Sequence, residues 1–172
     1  SADSVPSLDR YRMIVGKKTA SLFELASAVG GSIAGADEHD LAALMVFGRQ
    51  AGIAFQMVDD ILDITSSEDL LGKPAGTDLK QRTPSLINIL WLASGEQAAK
   101  EFFAKAQPST EEAKRAAHYL AGSPIVDEAR RHAEDAALAA INALRSIRSP
   151  NQNTEMRAHL EALIHYTLDR CL

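Results

Sequence analysis

Apolar residues recur at helical spacing along almost the whole chain. Leu22, Phe23, Ala26, Val29 and Ile33 follow the rhythm of an amphipathic helix, as do Ala133, Ala137, Ala140, Ile141 and Leu144, and then Met156, Leu160, Leu163, Ile164 and Leu168. Residues 1–7 form a short polar lead-in, and Ser7 or Asp9 can cap a helix over Leu8–Val15. Gly16-Lys17-Lys18-Thr19 interrupts or bends that helix. Gly30-Gly31 costs about 1 kcal/mol per glycine relative to alanine, so the pair marks a kink or a close approach by another backbone. The polar link Asp37-Glu38-His39-Asp40 opens a long central helix that includes Met45 to Ile64.

Beyond it, Ser66 to Pro84 reads as a loop, broken by Gly72, Pro74, Gly76 and Pro84. Leu86–Ala93 is a buried apolar helix, and Gly95 separates it from a segment ending near Ala106. Ser109-Thr110-Glu111-Glu112 is a capping box that opens a helix to Leu120, and Ser123-Pro124 opens the next. Ser149 to Asn153 is a turn before the last helix. No repeat, low-complexity tract or internal boundary appears, so residues 1–172 read as a single all-α domain, an antiparallel helical bundle.

Composition narrows this picture. A chain of 172 residues can bury a sizeable core, and 46% hydrophobic content with only 5% aromatics suits helix-on-helix packing. The net charge of -5 gives no support for nucleic-acid binding through a basic surface. Cys171 is the single cysteine, which excludes an internal disulfide and fits a reducing compartment. There is no signal-peptide pattern, and no apolar run reads as long enough to span a bilayer. The expectation is a soluble, cytoplasmic protein.

The chemistry concentrates between Gly48 and Asp78. On a helix through Met45–Ile64, Gln56, Asp59, Asp60 and Asp63 are three or four residues apart and are expected on one face, with Ala54, Phe55, Val58, Ile61 and Leu62 opposite. Three carboxylates on a short ridge repel one another and call for a cation. Hard oxygen ligands suit Mg²⁺, which takes one or two carboxylates with water and substrate phosphates. Gly52, on the same ridge, would let a partner helix or a ligand come close. The loop that follows carries Lys73, Lys80 and Arg82.

Other motifs fail. A nucleotide-binding P-loop needs Gly-x-x-x-x-Gly-Lys-Ser/Thr, and Tyr11 stands where the first glycine should be. Five scattered histidines without an HExxH pair or a cysteine cluster argue against zinc, and no nucleophile elbow occurs. Trp91, Tyr119 and Tyr166 read as packing residues.

Taken together, Lys18-Thr19-Ala20-Ser21-Leu22-Phe23, the run from Gly48 to Asp63, and Gly72-Lys73-Pro74-Ala75-Gly76-Thr77-Asp78-Leu79 resemble the trans-isoprenyl (polyprenyl) diphosphate synthases. The resemblance implies the C-terminal part of the isoprenoid synthase fold, a homo- or hetero-oligomer, and head-to-tail prenyl transfer from an allylic diphosphate to isopentenyl diphosphate with Mg²⁺. It implies that Asp59, Asp60 and Asp63 form the second aspartate-rich, metal-binding motif and that Lys18 and Lys73 hold the allylic diphosphate. Thr19 and Gln56 would face the reacting carbon and stabilise the allylic cation. Lys18, Thr19, Gln56, Asp59 and Lys73 are then expected around one cavity mouth.

The chain departs from the family pattern in two places. The lysine expected after the Gly-Thr-Asp loop is matched only by Lys80 or Arg82. The first aspartate-rich motif, its companion arginines and the isopentenyl diphosphate residues are missing from this sequence. The chain is therefore expected to be a C-terminal portion, inactive alone, with a non-catalytic partner or regulatory subunit of such a synthase as the alternative. An uncovered apolar face would distinguish both from a self-sufficient helical module.

Overall fold

The computed structural model describes residues 7–66, 75–149 and 153–171, which are all-α, with no strand among them. In chain order come α1 (Leu8–Val15), a π-helical turn (Gly16–Ala20), α2 (Ser21–Ile33), α3 (Glu38–Thr65), α4 (Thr77–Gln81), α5 (Leu86–Ala93), α6 (Gln97–Ala104), α7 (Thr110–Ala121), α8 (Pro124–Arg145) and α9 (Thr154–Asp169). Two compact units divide them.

One unit comprises Arg12–Val58 and His132–Arg170. Gly16-Lys17-Lys18-Thr19 interrupts the α-helix as expected, by a wider π turn between two α-helical stretches. Glycines bring that turn and α2 against α3. A Cβ added at Gly52 would stand 2.6 Å from Ala20 Cα, and one at Gly48 would stand 2.4 Å from the Phe23 carbonyl oxygen. The close neighbour at Gly52 is thus a helix backbone. At Gly31 the neighbour is the Leu44 side chain, 2.6 Å from an added Cβ, whereas Gly30 faces open space and α2 continues through both.

The core of this unit holds Val15, Ala20, Phe47, Ile53, Met57, Ala137, Ile141 and Leu144. At the start of α3 the Asp40 carboxylate accepts the Arg148 and Ser149 N–H groups, both at 2.9 Å. Arg145 forks onto Glu161, tying α8 to α9 at 3.0 and 2.7 Å. The outer face of α2 stays uncovered: Leu22, Leu25, Val29 and Ile33 are exposed, Ile33 by 84%.

The other unit comprises residues up to Tyr11, Asp59–Arg131 and Cys171. Trp91, buried on α5, meets Phe102 and Phe103 of α6 with ring centroids 5.4 and 5.6 Å apart, and Tyr119 at 6.2 Å. Trp91 packs as expected; Tyr166, 66% exposed in the first unit, does not. The capping box forms as written: the Ser109 hydroxyl accepts from Glu112 N–H while the Glu112 carboxylate accepts from Ser109 N–H and binds Lys105.

The segment from Ser66 to Pro84 departs from expectation, because α4 stands within it. Gly76 enters α4 with φ +75°, and an added Cβ there would lie 2.9 Å from the Ala113 carbonyl oxygen, so only glycine makes this turn. Leu79 is fully buried and is the apolar anchor of the five-residue helix.

Among the described residues α3 is also the helix long and apolar enough, by length and composition alone, to cross a bilayer, contrary to the reading of the sequence; half of its most apolar window is buried. Burial of that kind is what a core helix shows.

Candidate functional site

Gly48, Gly52 and Gln56 succeed one another at i, i+4 along one side of α3. Gly48 admits α2 and Gly52 the π turn to contact distance, and one turn further on the Thr19 hydroxyl donates to Gln56 Oε1 at 2.8 Å. Both residues are half-buried. Donation to an amide oxygen orients the hydroxyl, leaving its lone pairs directed away from Gln56, where they can face positive charge. Lys18, next to Thr19 on the same turn, is exposed. Arg49 is engaged elsewhere, with Glu24 at 3.1 Å.

The three aspartates do not share one outward ridge. Asp59 is half-buried, but Asp60 is 5% exposed and Asp63 is fully buried. Asp60 Oδ2 accepts two hydrogen bonds of 2.8 Å, from the Tyr11 hydroxyl and from the Leu86 N–H. That N–H is the first of α5, an orphan donor that an anionic acceptor satisfies well. Asp63 acts likewise for α4: its Oδ2 accepts the Asp78 N–H at 2.9 Å, and its main-chain carbonyl accepts the Gly76 N–H at 2.8 Å. Two members of the motif therefore anchor the two helices that follow.

Burial, and then the negative charge of Asp60, push the Tyr11 phenol well above its ordinary value of 10.0, so it stays a donor. Asn88 braces the intervening segment, its Nδ2 donating to the carbonyls of Asp78 at 3.0 Å and Thr83 at 2.7 Å. The structural roles of Tyr11 and Asn88 carried no recognisable signal in the sequence, because their partners lie 5 to 49 residues away.

The cations divide as well. Lys73 lies outside the described residues. Arg82, at φ 58°, is spent on structure: Nη2 donates to the carbonyls of Phe102 and Lys105 at 2.7 and 2.8 Å, and the guanidinium stands over the Phe102 and Phe103 rings at 4.5 and 4.8 Å. Lys80 is exposed and donates to the Thr110 hydroxyl at 2.7 Å. A compact group of acidic and histidine ligand atoms exists elsewhere, at Asp37, His39 and Asp40. It is occupied by capping, since Asp37 Oδ1 accepts the Asp40 N–H and Asp40 holds residues 148 and 149.

The donor chemistry around Asp59 fits Mg²⁺. All its candidate ligands are carboxylate oxygens, and this metal needs only one or two of them when phosphate oxygens complete its shell. The hydrogen bonds already made by Asp60 and Asp63 are compatible with that small demand.

The chain is similar to known proteins. The family model for polyprenyl synthetase matches residues 1–120. The chain is 35% identical over 150 residues to the geranylgeranyl diphosphate synthase of Mycobacterium tuberculosis, covering 84% of this chain and 43% of that enzyme. It is 40% identical over 110 residues to heptaprenyl diphosphate synthase component 2 of Geobacillus stearothermophilus, covering 64% and 34%. The crystal structure of a polyprenyl synthase from Caulobacter crescentus, complexed with calcium and isoprenyl diphosphate, superposes with a TM-score of 0.85 at 31% identity, covering 96% of this chain and 51% of that one. The chain thus spans less than half the length of these curated relatives and about half of the solved protein. With the family model matched over most of its residues, and an all-α fold shared with a solved polyprenyl synthase, the chain belongs to the polyprenyl synthetase family.

Proposed function

We propose that this chain carries the diphosphate-binding wall of a trans-prenyl diphosphate synthase, of the type that makes geranylgeranyl or longer diphosphates. The observation that carries the reading is the Thr19 to Gln56 hydrogen bond, one helical turn before the Asp59-Asp60-x-x-Asp63 motif on the same helix. In this reading the motif holds Mg²⁺, with Asp59 as its more accessible member, and Lys18 and Lys73 bind the allylic diphosphate. Bound Mg²⁺ would neutralise charge on the departing pyrophosphate. Thr19, polarised by Gln56, turns oxygen lone pairs toward the allylic cation, which isopentenyl diphosphate then attacks head-to-tail. Lys80, on α4, rather than the structurally committed Arg82, serves the diphosphate. The setting is cytoplasmic, in a homo- or hetero-oligomer.

Calorimetry with magnesium pyrophosphate tests this. The native chain should bind it and Asp59→Ala should not, with unchanged far-UV circular dichroism. Equal binding by both would remove the metal assignment.

A second reading, a non-catalytic partner subunit, rests on the likeness to a relative named component 2 of heptaprenyl diphosphate synthase; the uncovered apolar face of α2 is expected on both readings. Turnover of an allylic diphosphate and isopentenyl diphosphate by the purified chain alone would exclude it. Diphosphate binding without turnover, restored by a second protein, would support it.

A further inference from the structure

Asp59 and Asp60 are adjacent on α3, so their side chains leave the helix about 100° apart. Only one of them can face a ligand squarely, and the orientation of the pair is set by whatever grips the other. Asp60 is gripped from two directions. The Tyr11 hydroxyl on α1 and the first N–H of α5 both donate to the same oxygen, Oδ2, at 2.8 Å. Tyr11 is itself 2% exposed and Asp60 5%, so neither hydrogen bond faces competition from water. Nothing in the proposed chemistry uses the Tyr11 phenol.

We propose that Tyr11 is a positioning residue for the metal site: through Asp60 it fixes the rotation of this stretch of α3, so that Asp60 serves by hydrogen bonding while Asp59 is presented for coordination. The inference rests on the metal-diphosphate reading above and adds a division of labour to it. A water-inaccessible phenol, a carboxylate and a helix N-terminus form a rigid strut behind the motif. Its loss loosens the angle at which Asp59 is offered without removing any ligand.

The test uses the full chain and magnesium pyrophosphate in calorimetry, with four proteins: native, Tyr11→Phe, Asp60→Asn and Asp59→Asn. Asparagine at 60 keeps an oxygen able to accept from both Tyr11 and Leu86 while losing the charge. The expected order is native, then Asp60→Asn and Tyr11→Phe, both weaker by roughly tenfold or more but still binding, and Asp59→Asn without measurable binding. Amide hydrogen exchange at Leu86 should quicken in Tyr11→Phe by more than it does at core amides such as Leu120 and Ile141, whereas a loss of general stability would quicken all of them alike, and it should stay near native in Asp60→Asn. If Asp60→Asn loses as much binding as Asp59→Asn, or Tyr11→Phe binds like native, the division of labour is overturned while the metal reading stands. If the native chain does not bind magnesium pyrophosphate, the metal reading falls and takes this inference with it.

Discussion

The Thr19 hydroxyl donates to Gln56 Oε1 at 2.8 Å, joining the π turn to α3 across a gap of 37 residues. Both side chains are half-buried, so the bond contributes in the ordinary range for a neutral pair. Thr19→Val, which keeps the shape, should lower stability by about 0.5–1.5 kcal/mol in urea unfolding. A larger loss would mean that the hydroxyl serves further buried groups.

Two glycine substitutions should move stability in opposite directions. Gly52→Ala places a methyl 2.6 Å from Ala20 Cα, a backbone atom that cannot step aside, and should cost about 1–3 kcal/mol net. Gly30→Ala, on the exposed side of α2 with nothing within 4 Å, should add about 0.5–1 kcal/mol. Thermal melts of the two variants against native would show the split.

Tyr11→Phe should cost about 1.5–3 kcal/mol, because it removes a buried hydrogen bond to a charged acceptor. Asp60→Ala should cost more, since it strands both the phenol and the Leu86 N–H. Urea unfolding would rank them, and equal costs would mean that the Leu86 N–H finds another acceptor.

Acid should weaken the fold through carboxylates, Asp40 and Glu112 among them. The Arg148 N–H foremost, with His39 and the Ser149 N–H, holds Asp40 below its ordinary 3.8, and Lys105 and Ser109 hold Glu112 down to about 2 from 4.5. Both folded values lie below the unfolded ones, so the unfolded chain binds more protons in between. Their stabilisation is complete above those ordinary values and is lost as pH falls through the lowered ones. The urea midpoint should therefore drop on going below about pH 4.5, and Asp40→Asn should flatten that dependence.

Arg82→Lys keeps the charge but loses the planar fork that serves two carbonyls and lies over two rings. A cost of about 1–3 kcal/mol is expected, measured by denaturation, with magnesium pyrophosphate binding unchanged. A fall in binding alone would instead place Arg82 at the diphosphate.

Much of the fold was readable from local chemistry. The capping box at Ser109, the proline at the start of α8 and the apolar rhythm of α2 and α8 each fix an element within a few residues, because cap and period are short-range signals. α4 escaped notice because its flanks are dominated by turn-forming residues, it buries a single apolar side chain, Leu79, and its polar hold comes from Asp63, 15 residues before Asp78. At the site, spacing put Gln56 and the aspartates on one helix, and motif resemblance supplied Thr19, whose hydroxyl bonds Gln56. The inward turn of Asp60 was not readable. Its partner Tyr11 lies 49 residues away, and a helical wheel places side chains around an axis without saying which sector another helix will occupy.

The π turn at Gly16–Ala20 sets an angular phase. One residue more than an α-helical turn requires advances everything after it by about 100°, so the direction in which Thr19 points depends on how many residues the turn holds as well as on which they are. Substitutions there change chemistry, whereas removing a single residue would rewind the helix and swing Thr19 away from Gln56 with every side chain intact. The length of this stretch is therefore under a constraint as strict as the identity of its threonine.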